Sequence, residues 1–291
     1  MSAEPRTAVP ATSQTRWWTG IPFTAILGIA IIVGWVLAGL LAPWIAPYAP
    51  ADIVSGDSFA PPGQVGILGT DYLGRDLLSR LLYGARLTIG LAFSATFLAL
   101  CFGTLLGTIA AAYRGHVDSI LSRLNDMFLS LPSIMLALVV ITAFGSTALV
   151  LILTVAFVES VRVFRVARAA ALDIYAMEFV EISHARGDSK WWIMRREVLP
   201  NMRLLLATDF GIRFSYSTIL MSSLSFLGLG IQPPAADWGI MMRENLGGVN
   251  IGAAATLIPV VAIFSLNLAV NWLVDWSLSR QNRDISSELR S

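Results

Sequence analysis

Asp209 and Arg213 stand four residues apart inside a long apolar run, a spacing that puts them on one helix face. Two chemistries are open to such a pair. It can be a helix-internal ion pair that lowers the cost of burying charge in a membrane, or a polar passage lining able to meet a zwitterionic solute. Asn267, Asn271 and Asp275 repeat at the same interval and make one polar stripe. That stripe suits hydrogen bonding between helices or the lining of a passage. Asp275 sits near the end of its run, where it can be wet. Catalysis has little support. No His-Glu-x-x-His, no Ser/His/Asp set and no paired carboxylates fall in one run. His116 and His184 are too isolated for a metal site. Cys101 is the single cysteine, so an internal disulfide is excluded. The only lysine, Lys190, is followed by Trp191, whereas a phosphate-binding loop needs Gly-Lys-Ser/Thr. If ATP drives the work, another subunit must bind it.

The elements that position these residues are apolar. Of 291 residues, 56% are hydrophobic and 13% charged, about half the charge of a soluble domain. That balance excludes a disordered chain, a disulfide scaffold and a basic-patch nucleic-acid binder. The net charge of +1 gives no strong field to steer an anionic partner. A helix needs about 20 apolar residues to cross a bilayer. Six runs qualify: Ile21 to Pro43, Leu87 to Ala112, Met127 to Phe144, Thr147 to Phe164, Leu204 to Leu229 and Ala255 to Leu278. Gly145-Ser146 is the only break between the third and fourth, which predicts a tight helical hairpin. The first run is longer than a usual signal-peptide core and more spans come after it, so it is expected to be retained. Residues 1–20 are expected to be a disordered cytoplasmic tail, and residues 279–291 a second cytoplasmic tail.

Arginine and lysine placement sets the orientation. With six spans both termini share a side, and that side collects fifteen of the twenty cationic residues. Both termini are therefore expected in the cytoplasm. Residues 44–86 and 230–254 then face outward, and residues 87–278 form a five-helix core. Arg162 and Arg165 are expected to end the fourth span and anchor to headgroups. Leu77, Leu78, Leu81 and Leu82 predict an amphipathic helix leading into the second span, with Asp71, Arg75 and Asp76 able to pair locally. Gly103 and Gly107 form Gly-x-x-x-Gly, which in a span means close helix packing.

The cytoplasmic loop at about 165–203 is too long for a passive linker. Arg168 to His184 are good helix formers, and Gly187 supplies a stop. A second helix is predicted from Asp188 as N-cap, interrupted at Pro200. Composition alone suits an interfacial helix, anchored by Trp191 and Trp192, as well as a docking helix for a partner.

Here the chain resembles a family. Glu181-Ile182-Ser183, then Gly187, then Leu199-Pro200 is similar to the EAA loop of ABC importer permeases, with Ile182 and Ser183 replacing the alanine pair and Glu197 where Ile or His is usual. Gly69-Thr70-Asp71-Tyr72-Leu73-Gly74-Arg75-Asp76 with Ser79-Arg80 and Gly84-Ala85-Arg86 resembles the segment before the second span in dipeptide, oligopeptide and nickel importers. Leu224 to Pro234 with Trp238-Gly239 resembles the end of the fifth span in the same group, with Met221 where an acid is common. The resemblance implies an all-α type I importer permease of the bacterial inner membrane, the shorter of a heterodimeric pair. It implies a second permease, two ATPases that bind ATP and magnesium, and an extracytoplasmic binding protein. It also implies that Glu178, Glu181, Ile182, Ser183, His184, Ala185, Arg186, Gly187, Leu199 and Pro200 couple to the ATPase, with Lys190 and Arg186 at the rim. Asp209, Arg213, Asn267 and Asn271 are the candidate passage lining. No cofactor or metal is expected in this chain. Short peptides are the expected substrates; nickel chelates, opine-like compounds and small glycosides remain open.

Overall fold

A computed structural model describes residues 22–288, and side chains for 22–279. The expected N-terminal tail and the first residue of the first run lie outside the described residues. The regular elements among the described residues are helices, with two isolated antiparallel bridges, Ile53 to Arg75 and Thr70 to Asp76, outside them.

Helix α1 spans Phe23–Ile45, and Pro43 sits in its last turn. Helix α2 runs Leu77–Tyr113, 37 residues or about 55 Å. The expected division into a lead-in helix and a span starting at Leu87 is therefore corrected: both belong to one helix. It starts where Asp76 accepts from Ser79 N–H, and the polar residues of its first turns are buried against other elements, so nothing forces a break at residue 86.

The third run is also corrected. Helix α3 (Gly115–Leu129) ends before Pro132, helix α4 (Ser133–Phe144) begins after it, and the two bend by 88°. Pro132 brings no N–H to the ladder and turns the residue before it out of the helix. Twelve residues of α4 reach about 18 Å, short of a hydrocarbon core of about 30 Å. The hairpin does form: Gly145 ends α4, and Thr147 caps helix α5 (Ala148–Tyr175) by accepting from Val150. By length and composition, Phe23–Ile45, Leu77–Tyr113 and Leu257–Ser279 can each cross a membrane, and a fourth span is added if the bent pair counts as one. The fourth and fifth runs lie in α5 and in helix α8 (Leu199–Phe226), which are long enough but carry buried charges.

The core is a bundle in which α2, α5 and α8 pack together, with α1 and helix α10 (Leu257–Glu288) alongside. Small residues let the backbones meet. A Cβ on Gly103 would lie 2.7 Å from the Ser160 carbonyl, and one on Gly107 would lie 2.7 Å from that of Phe164. The Gly-x-x-x-Gly pair thus seats α2 on α5.

Candidate functional site

Three groups of side chains are placed at different levels of this bundle. The first lies where α2 and α5 end. Instead of one helix over 168–184, α5 continues to Tyr175, the chain turns at Ala176-Met177, and helix α6 covers Glu178–Ala185. Gly187 comes next at φ +84°, a left-handed conformation that stops α6. Ser189, not Asp188, caps helix α7 (Lys190–Ile193), accepting from Trp192 N–H; Asp188 pairs with Arg186 at 2.9 Å. The expected interruption at Pro200 is corrected too. Met194–Val198 form a π-helical turn that runs straight into α8, with Leu199 helical at φ −58°, ψ −42°. The widened turn accommodates a proline in the first turn of α8, where a missing N–H costs least.

Val180, Ile193, Val198 and Met202 bury against Ala111, Ala167 and Ala171, so the loop is fixed to the ends of α2, α5 and α8. Ser183 is buried and bonds back to Phe179. Glu178, Glu181, Ile182, His184, Ala185 and Arg186 remain exposed. Ile182 is 57% exposed, and Phe179, three residues before it on the same helix, is exposed as well. Lys190 is exposed and lies over the Tyr113 ring at 4.9 Å, which ties α7 to the end of α2.

The second group lies mid-bundle. Arg213 Nε donates to Asp209 at 3.1 Å, as the spacing predicts. The pair is not isolated. Arg213 also reaches Glu159 on α5 at 3.3 Å, and Arg162 reaches the other oxygen of Glu159 at 2.6 Å. Arg162 further donates to Ser133 Oγ at the start of α4. The expected headgroup anchor is therefore corrected for Arg162, while Arg165 is exposed. Because α5 extends to Tyr175, Arg162 falls at its middle and turns inward. Tyr216 lies under both guanidiniums, 6.0 Å from Arg162 and 5.5 Å from Arg213. Sequence reading missed Glu159, Ser133 and Tyr216; the lone carboxylate in the fourth run was the available signal. The Asn stripe divides: Asn267 is buried and donates to the Ile263 carbonyl, while Asn271 and Asp275 are exposed. Asn267 and Asn271 are not brought into contact with the Arg213 group by any hydrogen bond among the described residues.

The third group closes the opposite end. Arg75 pairs with Asp71 at 2.6 Å and with Glu244, on helix α9 (Trp238–Glu244), at 2.9 Å. Arg80, fully buried, donates to Glu244 at 2.6 Å and lies 3.4 Å from Asp71. Trp238 is also fully buried; its indole donates to the Leu81 carbonyl and meets Trp35 edge-on at 4.9 Å. Two of the sequence motifs, Gly69 to Arg86 and Trp238-Gly239, are thus one structural unit. Asp237 caps α9, accepting from Gly239 and Ile240. Burial pushes its carboxyl up to about 6, against the two backbone donors that lower it.

Between 3.8 and about 6 the folded chain holds a proton there that the unfolded chain releases. Stability is fully present below about 4 and is lost as pH rises through 6. Asp237→Asn keeps the cap oxygen without the charge. Its melting temperature is expected to fall less than the parent's between pH 4 and 7, read by thermal unfolding of both purified proteins. Parallel curves would show that Asp237 ionises freely.

Several helices long and apolar enough to cross a membrane, packed into one bundle, define a multi-pass membrane protein. The sequence comparisons give the family. Residues 103–283 match the model for the binding-protein-dependent transport system inner membrane component, and the chain belongs to that family. It is 31% identical over 283 residues to the dipeptide transport system permease protein DppC of Haemophilus influenzae, covering 94% of this chain and 96% of that one. It is 33% identical to the di/tripeptide transport system permease protein DppC of Pseudomonas aeruginosa, covering 86% and 85%. It is 32% identical to the glutathione transport system permease protein GsiD of Pectobacterium atrosepticum, covering 80% and 78%. The chain is a multi-pass permease subunit of the bacterial inner membrane, not itself an enzyme.

Proposed function

We propose that this permease forms half of the passage for short peptides in an ATP-driven importer, beside a related second permease. Relatives named for dipeptide, di/tripeptide and glutathione transport support the substrate class. A binding protein delivers the peptide from outside, and two partner ATPases bind ATP and magnesium. Six membrane passages, with both termini cytoplasmic, result from counting α5 and α8 as spans and from the arginine bias. In this arrangement the outer segment runs from the end of α1 to the start of α2, which continues into the core, and about 165–203 is the coupling loop. Asp209, Arg213, Asn267 and Asn271 are its candidate lining.

The observation that carries the coupling role is the α6 surface. Its buried face is locked to three core helices, while Ile182 and Phe179 are exposed, with Glu178 and Glu181 exposed beside them. Apolar contacts there would hold an ATPase and the carboxylates would orient it. The unbroken path from α7 through the π-turn into α8 carries a push on α6 to the passage, by rigid-body rocking. Leu199 and Pro200 lie on that path, and Ser183, His184, Ala185, Arg186 and Gly187 shape the docking end. Ile182→Asp and Glu181→Lys are expected to reduce co-purifying ATPase and peptide uptake at least tenfold, with permease yield unchanged because both side chains are exposed. Unchanged ATPase capture by both variants would remove α6 from the interface.

A further inference from the structure

We infer that Arg162, Arg213 and Tyr216 form a subsite in the passage for the main-chain carboxylate of a peptide, positioned by Glu159. The inference rests on the peptide-importer reading and names where that substrate is held.

The four charges balance, but they are not evenly placed. Glu159 and Asp209 have 2% and 5% of their side chains exposed, whereas Arg162 has 33% and Arg213 11%. The acids lie behind and the cations in front, so the open side presents the positive end. Each guanidinium carries five N–H donors. Arg162 spends two, on Glu159 and Ser133, and Arg213 spends two, on Asp209 and Glu159. Each therefore keeps N–H donors beyond those bonds, and a guanidinium binds a carboxylate in a bidentate fork.

Tyr216 makes the site a surface and not a buried pair. It is 53% exposed at the middle of α8, yet both cations stack against it. A cation with a third of its side chain exposed mid-span is costly in hydrocarbon, so this face meets water. Glu159 is the positioning residue. It is 1% exposed, touches both guanidiniums and holds α5 to α8. Ser133 adds α4, so three helices converge on the site, and α8 is the one driven from the coupling loop.

The test uses the assembled importer in detergent and a photoreactive dipeptide, alanyl-benzoylphenylalanine, as free acid and as C-terminal amide. It is applied directly at saturating concentration, so selection by the binding protein is bypassed. The free acid is expected to label the tryptic peptide beginning at Phe214 at least tenfold more than the amide. Arg162→Gln should drop acid labelling to the amide level, and Arg162→Lys should restore part of it. Tyr216→Leu, at an exposed position, gives the second variant should Arg162→Gln disturb assembly. Equal labelling by acid and amide, or full labelling in assembled Arg162→Gln and Tyr216→Leu, overturns the subsite. Dialanine uptake by wild-type proteoliposomes is read separately. Its absence would overturn the peptide reading, while the acid/amide ratio still decides the carboxylate site.

Discussion

Gly107→Leu is expected to separate α2 from α5 and remove most folded permease from the membrane. A Cβ at this position would stand 2.7 Å from the Phe164 carbonyl oxygen, 2.9 Å from the Arg168 nitrogen and 3.1 Å from the Ala167 Cβ. Two of those three atoms are backbone inside a helix, so no rotamer change relieves the clash. Overpacking of a core costs about 1–3 kcal/mol when neighbours can yield. Here α5 must shift as a body, which also opens the Gly103 contact with Val163 and pulls Arg168 from Asp118 on α3. The cost should reach or exceed the top of that range. Gly107→Ala gives a graded intermediate. Gly90→Leu is the control: it lies on the same helix and has open space around it. Yield of monodisperse protein and its thermal midpoint are the readouts. If Gly107→Leu melts with Gly90→Leu, the two helices do not depend on this contact.

How much of this was legible in the sequence differs by level. Apolar runs located the spanning material, because burial in a bilayer is written in composition. They failed at boundaries set by tertiary partners. Arg80 lies in the predicted lead-in helix, but it is buried and pairs with Asp71 and Glu244 in the interior, and α2 continues unbroken. Pro132 lies inside the third apolar run, yet the chain turns by 88° there. Pro200 looked like a stop, yet a π-turn passes it. Local rules recovered Asp209 with Arg213 because both sit on one helix. The link to Glu159, 54 residues away, needed the packing of α5 on α8. Motif spacing alone did not show that Gly69 to Arg86 and Trp238-Gly239 are joined; a buried tryptophan and a shared carboxylate join them.

Arg80→Met should be the most damaging single change at the sealed end, although it removes no residue of the passage. Four charges share that interior: Asp71, Arg75, Arg80 and Glu244, two of each sign. Deleting Arg80 leaves two carboxylates facing one guanidinium with little water to screen them. Breaking a buried pair from one side costs about 3–5 kcal/mol, because the remaining charge keeps its desolvation penalty. Glu244→Gln leaves the opposite imbalance, Arg75 and Arg80 against Asp71. The double variant Arg80→Met with Glu244→Gln restores neutrality, so its loss should be smaller than the sum of the singles by about 1–3 kcal/mol. Thermal and denaturant unfolding of the purified permease would measure this cycle. Peptide uptake should fall with it, since this cluster pins α9 to the start of α2 while Gly239 of α9 packs on Ser222 of α8. On the proposed coupling path, loosening that end would let a push on the 165–203 loop dissipate in α9. Additive singles, each within about 0.5 kcal/mol of wild type, would mean that the four charges are solvated and that the outer end is held by Trp238 packing alone.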